Sequence, residues 1–424
     1  MPTAPAPDLS IRRMTGDALS ARTRALLWLP LLISITVAGC SSEGPEPDPD
    51  AAGDAGPVVV ENFAPTWTAG QEWSVGTTPS LDITTLAGDP NEPLEFIRGA
   101  ARLSDGRIVV ANGGTNEIRT YGPDGQFMFT RGGAGTSPDE FRQIGDVLAF
   151  GGDTVAVNDW GSGRVVVYKP SAEWARDFRL PDLGPAYVPL LHGRFADGSI
   201  LVATGDRIDP ATTDIGVVRK PVLFIRASAE GAALDTIEQG KGDEMFVIER
   251  IPGAIQAAGL PFGRTTEASL TGDRIHIGNS DTYEISSYTA DGELQQVIRK
   301  QHDPVAVTVE SFRTLADQRV ARIADETIRA ERRQELLDMP IPETMPAFGL
   351  ILGDSEGYIW VQDYATPDDE LVEWNVFAAD GTLLGPVSLP ARLRVKQIGV
   401  NFVLGLVTDE LGIEHVQLYS LTRS

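Results

Sequence analysis

Six basic side chains recur where a ligand-binding face would need them. Arg98, Arg264 and Arg394 each stand eight positions ahead of a turn position (106, 272 and 402), and Arg142 stands ten ahead of 152. His192 and Arg194 occupy the corresponding stretch of another unit, where the fifth unit offers Phe348 and Gly349 instead. Guanidinium groups gathered at one end of an acidic protein would attract an anionic ligand, a carboxylate or a phosphorylated small molecule. The competing reading is local: each Arg pairs with an acid nearby, such as Glu95, Asp139 or Glu267, and pins a loop.

Other chemistry finds less support in the chain. The four histidines, His192, His276, His302 and His415, show no metal-ligand spacing, and Cys40 is the single cysteine. No Gly-x-Ser-x-Gly elbow stands between a strand and a helix, so no catalytic residue is assigned and no resident metal or cofactor is expected. One calcium possibility deserves statement. Asn112, Asp159, Asn279, Asp363 and Asp409, with Thr204, each end a second strand, and a ring of such oxygens would suit Ca²⁺. Side chains of these types also cap turns through their own backbone, and recurrence in every unit fits that structural use better than a single ion site. Gly133-x-Gly135 in "RGGAGTSPDEF" opens no helix and precedes no Lys-Ser/Thr, so it is a crossing point of the chain and not a phosphate loop.

Charge narrows the partners. The formal net charge is -25, from 35 basic and 60 acidic residues, which repels nucleic-acid backbones. The basic residues are unevenly placed: Arg12, Arg13, Arg22 and Arg24 precede the apolar run "ALLWLPLLISITVAGC", which is short for a bilayer-spanning helix and ends in small residues. Its last four residues, Val37-Ala38-Gly39-Cys40, resemble the lipobox of bacterial lipoproteins, which implies cleavage before Cys40 and its lipidation. Ser41 after the cysteine then points to the outer membrane of the cell envelope. Without residues 1–39 the chain has 31 basic and 58 acidic residues. The following "SSEGPEPDPDAAGDAGP" lacks large apolar side chains and is read, with the rest of residues 40–72, as an acidic tether.

What must position the basic residues is a repeated unit. The 44 glycines and 29 prolines are spread as turn signals, and turn glycines at 106, 152, 198, 272 and 357 head "GRIVVAN", "GDTVAVND", "GSILVAT", "GDRIHIGN" and "GYIWVQD". "NFVLGLVTD" from Asn401 is a degenerate sixth copy. Around "DGRIVVANGGTNEIRTYGPDGQF" the alternation predicts four antiparallel strands, and one four-stranded sheet per repeat is the mark of a β-propeller. The intervals are 46, 46, 74 and 85 residues. The longest contains an amphipathic pattern, Phe312, Ala316, Val320, Ile323 and Ile328, predicting one or two helices over about 308–338. The interval of 74 points to an extended hairpin at "GDRIDPATTDIGVVRK". "SLDITTL", ahead of the first full repeat, can complete the last sheet and so remove two open edges. The expectation is an all-β, six-bladed propeller over residues 73–424, with a helical insertion between blades 4 and 5.

These segments, with "RGGAGTSPDEF", resemble the NHL-like six-bladed propellers of bacterial lipoproteins. The resemblance implies architecture and no particular activity. Six-bladed relatives of the gluconolactonase type hold a divalent metal with Glu, Asn and Asp at the channel mouth, a set not matched here residue by residue. The expectation is therefore a monomeric, membrane-anchored binding module for a protein or small anion, with a metal-dependent hydrolase as the alternative. The anchor is directly testable: Cys40→Ala should abolish metabolic acyl labelling and release the chain from the membrane fraction, whereas unchanged labelling would show that Cys40 is not the acceptor.

Overall fold

A turn glycine followed by an apolar run sets the basic fold unit. In a computed structural model, described for residues 56–84, 94–206, 209, 212–251, 254–366 and 368–424, the strands Ile97–Arg102, Ile108–Asn112, Glu117–Tyr121 and Phe127–Gly132 pair in chain order. Gly106 has φ 89°, a left-handed conformation that glycine adopts without a Cβ clash, and its N–H donates to the Leu103 carbonyl at 3.0 Å. The Asp105 carboxylate accepts from the Arg107 N–H at 3.0 Å and tightens the same turn. All of Ile108–Asn112 is buried, because this second strand is covered on both faces by neighbouring sheets. The signal segment, Cys40 and the tether through residue 55 lie outside the described residues.

The described residues form six sheets, each antiparallel along its successive strands. Sheet 1 is the one just given; the others begin with first strands Ile144–Ala149 (sheet 2), Tyr187–Arg194 (sheet 3), Thr266–Thr271 (sheet 4), Ile351–Gly353 (sheet 5) and Arg394–Ile398 (sheet 6). These first strands contact one another in sequence, and the first strand of sheet 6 contacts that of sheet 1, making the order cyclic. Glycine allows one tie across this series. A Cβ at Gly99 of sheet 1 would lie 1.7 Å from Asp146 Oδ1, and the space it leaves lets Lys396 of sheet 6 reach Asp146 of sheet 2 at 2.6 Å.

Two departures from regular spacing have visible causes. In sheet 3 the added length lies one strand later than the sequence suggested: Gly216–Ala227 pairs with the long strand Ala233–Ile251, and Ala254–Gly259 adds a fifth strand. Between sheets 4 and 5 in the chain stand two helices, α1 (Val309–Val320) and α2 (Glu326–Leu337). Thr308 caps α1 in a reciprocal pair with Ser311, and Asp325 caps α2 by accepting from the Thr327 and Ile328 N–H groups. Phe312, Ala316 and Val320 recur every four residues and bury one face of α1, with Phe312 joining Leu260, Phe262 and Met339. Ile328, counted with that face in the sequence, is instead 48% exposed, since α2 is a separate helix with no buried residue.

The N-terminal segment joins two sheets. Leu81–Thr84 pairs antiparallel with Glu414–Thr422 of sheet 6, as "SLDITTL" suggested, and Ser74–Val75 pairs with the end of the same strand. Val58–Asn62 runs parallel to Leu294–Lys300 as a fifth strand of sheet 4, so ordered structure begins inside the stretch read as tether. Asn62 fixes it there: its amide donates to the Arg299 and Gly381 carbonyls at 3.1 and 3.0 Å, and its oxygen accepts from the Leu383 N–H at 2.7 Å.

Closure through Leu81–Thr84 can be measured. Ile83 is fully buried, so Ile83→Ala should lower unfolding free energy by about 2–5 kcal/mol in urea. Val58 is 62% exposed, and Val58→Ala should change it by less than about 0.5 kcal/mol. Equal losses would show that the N-terminal strand does not complete the core.

Candidate functional site

The Asn, Asp and Thr side chains that end the second strands are each held by nearby backbone or side-chain groups. Asn112 accepts from the Glu95 N–H at 2.8 Å and donates to Thr115 Oγ1 at 2.9 Å. Asp159 accepts from the Gln143 N–H at 3.0 Å and from Ser162 Oγ at 2.5 Å. Asp409 accepts from the N–H groups of Leu411 and Ile413, and Asn279 from that of Asp281. Asp363 accepts from the Asn375 amide at 2.7 Å, and Thr204 Oγ1 from the Leu223 N–H at 2.9 Å. Asn279 and Asp409 cap the turn that follows them, whereas Asp363 and Thr204 bond across to the neighbouring strand. Among the described residues no three His, Cys, Asp or Glu side chains are grouped to hold a metal.

Strand register separates the basic residues that sequence spacing aligned. Ile97 lies opposite Asn112, Ile144 opposite Asp159 and Thr266 opposite Asn279. Arg142 and Arg264 therefore stand two residues before that level, whereas Arg98 stands one after it and corresponds to Gly145 and Glu267. Hairpin length explains the slip. Thr271 pairs with Arg274 across a two-residue turn, but Arg102 pairs with Ile108 and Ala149 with Val155 across five residues. Equal counts back from a turn glycine then reach different heights on the sheets.

Each basic residue also has its own surroundings. Arg98 lies 5.5 Å from the centroid of the Trp160 ring, and its buried Nε lacks a hydrogen-bond partner. Arg264 donates to the Thr344 carbonyl at 2.8 Å and to Thr344 Oγ1 at 2.7 Å, with Nε 3.7 Å from Asp281, so it is held by a loop residue and not by Glu267. Arg194 pairs with Ile200 at the opposite, hairpin end of its strand and stacks 5.5 Å from the Phe150 ring; it does not share the rim with the others. Phe348 is buried against Tyr283. Arg142 is exposed beside a cleft of about 340 Å³ that Arg164 and Arg179 also line.

Arg394 lines a cleft of about 930 Å³, bounded by α1 on one side and by the loops of sheets 5 and 6 on the other. Its lining includes Arg319 and Arg322 of the α1 segment, Tyr364, Arg392, Arg394 and Glu414. Arg392 stands 3.8 Å from Glu410 and Arg394 3.9 Å from Glu414, too long for charge-assisted hydrogen bonds, and both arginines are well exposed (71% and 58%). Arg322 donates to the Thr408 carbonyl at 3.3 Å. Burial lowers the Arg319 pKa from its usual value, and burial raises that of Tyr364. Sequence reasoning found Arg394 alone here. Arg319 stands on α1 and Arg322 in the turn just after it, and nothing in their spacing told which cleft they would wall.

A second set of groups has shifted acidities; the sequence reading took Glu267 only as an ion-pair partner and His192 as a rim residue, and it missed Asp243. Glu267, at the start of the first strand of sheet 4, has its carboxyl pushed up to about 7, by burial first and by the nearby Asp243 second. Asp243 is raised by burial while it accepts from the Thr266 N–H at 3.0 Å. His192 keeps water-accessible surface, yet the crowding of its ring by protein lowers its pKa; exposure limits the size of that shift, and its direction leaves the ring neutral at pH 7. His276, buried between Thr271 Oγ1 at 2.6 Å and Ser287 Oγ at 2.7 Å, is likewise lowered by burial, to about 4.

No protein-family model matches the chain, and no curated protein matches its sequence. Among solved structures it is similar to a member of the DUF4221 family from Bacteroides vulgatus, at 9% identity and TM-score 0.46 over 84% of this chain and 99% of that one. It is also similar to virginiamycin B lyase from Staphylococcus aureus (10%, TM-score 0.38, 83% and 99%) and to a calcium-binding protein, regucalcin, from Agrobacterium tumefaciens (9%, TM-score 0.37, 81% and 95%). These are propeller-type proteins.

The raised carboxyl of Glu267 has a pH signature. Between pH 4.5, its ordinary value, and about 7 the unfolded chain releases this proton while the folded chain keeps it, so folding stability falls as pH rises through that window. Glu267→Gln removes the term. The variant should gain about 1–3 kcal/mol on wild type between pH 4.5 and 7.5, read by urea denaturation at each pH. A pH-independent difference would place the carboxyl in the ordinary range.

Proposed function

We propose that the chain is a lipid-anchored, extracytoplasmic six-bladed propeller whose helical insertion walls a binding cleft for an anionic ligand. The observation that carries this reading is the pair Arg392 and Arg394, exposed in a cleft of about 930 Å³ and held nearly 4 Å from the acids beside them. Such a volume suits a small ligand or a short acidic peptide segment. Guanidiniums not closed into short ion pairs can turn to a carboxylate or phosphate without first breaking a strong contact. The cyclic contacts of the first strands support the six-bladed reading, and the lipobox-like end of the apolar run supports the anchor.

A metal-dependent hydrolase is a second reading, favoured by the neighbouring carboxyls Asp243 and Glu267, both raised above their usual pKa values. Calorimetry with citrate as probe separates the two. Binding should weaken several-fold between about 20 and 200 mM salt, and Arg394→Gln with Arg392→Gln should weaken it about tenfold or more with little change in thermal midpoint. Absence of citrate binding, with lactone turnover that depends on divalent metal and is lost in Glu267→Gln, would instead establish the hydrolase.

A further inference from the structure

The turn Asp159-Trp160-Gly161-Ser162-Gly163-Arg164 links the second and third strands of sheet 2, and clefts lie on both sides of it. One, of about 310 Å³, is lined by Trp160, Leu180, Val188 and Pro189; the other, of about 340 Å³, by Arg142, Arg164, Arg179 and Asp177. They meet at the turn, since Asp159, Gly161, Ser162 and Arg164 line both. The turn itself is firmly held: the N–H groups of Ser162 and Gly163 donate to the Asp159 carbonyl at 3.2 and 2.9 Å, and Asp159 is buried.

Two glycines let Trp160 and the stem of Arg142 pack close to this turn. A Cβ at Gly145 would lie 2.6 Å from Trp160 Nε1, so the absent side chain lets the indole lie across the first strand of sheet 2. A Cβ at Gly161 would lie 2.6 Å from the Cβ of Arg142, so the second gap brings Arg142 against the residue next to Trp160. Trp160 nevertheless stays 44% exposed, which is a large apolar surface to leave in water. The charges nearby are not equivalent. Arg164 is spent on the carbonyls of Ser137, Pro138 and Glu140, and it lies 3.8 Å from both Asp159 and Asp177. Arg179 gives one Nη to the Ser162 carbonyl at 3.0 Å. Arg142 is exposed, and among the described residues its guanidinium forms no ion pair.

We propose that this turn carries a second binding site, for a small carboxylate borne on a six-membered ring, with the ring on Trp160 and the carboxylate between Arg142 and Arg179. An indole face supplies area and orientation, and paired guanidiniums supply the charge-assisted hydrogen bonds that select an anion. Arg98 backs the indole from the sheet 1 side, 5.5 Å from its centroid, and fixes the ring that receives the ligand. The site is independent of the helix-walled cleft.

An aromatic acid and a uronic acid both present an apolar ring face beside a carboxylate, and the test distinguishes them. The test is titration of the full chain with benzoate and with glucuronate, followed by calorimetry, with benzyl alcohol and methyl glucoside as neutral counterparts. At least one acid should bind, its neutral counterpart should bind about tenfold more weakly or not at all, and whichever acid binds identifies the ring. Arg142→Gln and Trp160→Leu should each weaken that binding about tenfold while the thermal midpoint stays within a few degrees of wild type. Should Trp160→Leu unfold the chain, Arg179→Gln provides the second arm, with the same expected loss. Binding of neither acid overturns the proposal, as does binding that survives both Arg142→Gln and Arg179→Gln.

Discussion

Pairing between the two ends of the folded chain is the contact on which the sheet arrangement depends. Six sheets whose first strands touch in cyclic order need one sheet built from both ends, or the last third strand would present a bare edge. Leu81–Thr84 supplies it, with Ile83 buried among Leu404, Leu406 and Val416 and with Asp82 accepting from Gln417 at 2.9 Å. That strand covers the outer side of Glu414–Thr422, which would otherwise be an open edge.

Much of this was legible because it is written in local chemistry. Turn glycines at 106, 198 and 357 require positive φ, and the buried runs that follow them announce second strands. The four-residue recurrence of Phe312, Ala316 and Val320 announces a helix in the same way. Register was harder to read. The hairpin of sheet 4 is three residues shorter than those of sheets 1 and 2, and Gly272 looks no different in sequence from Gly106. Arg98 and Arg264 were aligned on that count and in fact stand at different levels. Trp160 and the Asp243/Glu267 pair were missed because their meaning depends on what lies across the fold: a glycine at 145, a carboxylate at 243.

The distribution of charge also follows from the architecture. A chain with 60 acidic and 35 basic residues has cations to spare only where backbone carbonyls or carboxylates leave them partly free. Asp281 alone takes Arg219 at 2.7 Å and Lys241 at 2.8 Å, with Arg264 at 3.7 Å. Arg226 joins Asp197 and Asp291, and Arg423 joins Asp354 beneath Trp73. Against that background Arg142, Arg392 and Arg394 stand out less by number than by loose attachment.

The parallel strand Val58–Asn62 has a mechanical meaning. Five successive residues pair in register with Gln296–Lys300, and Asn62 ties the far end to the turn at Gly381 and Leu383. Tension applied ahead of Val58 and directed along the strand loads this ladder in shear, so its rungs resist together, whereas a perpendicular pull would open them one at a time. Such tension meets Val58–Asn62 before it reaches Leu81–Thr84. The strand thus acts as a strain relief, as a clamp does where a cable enters its housing.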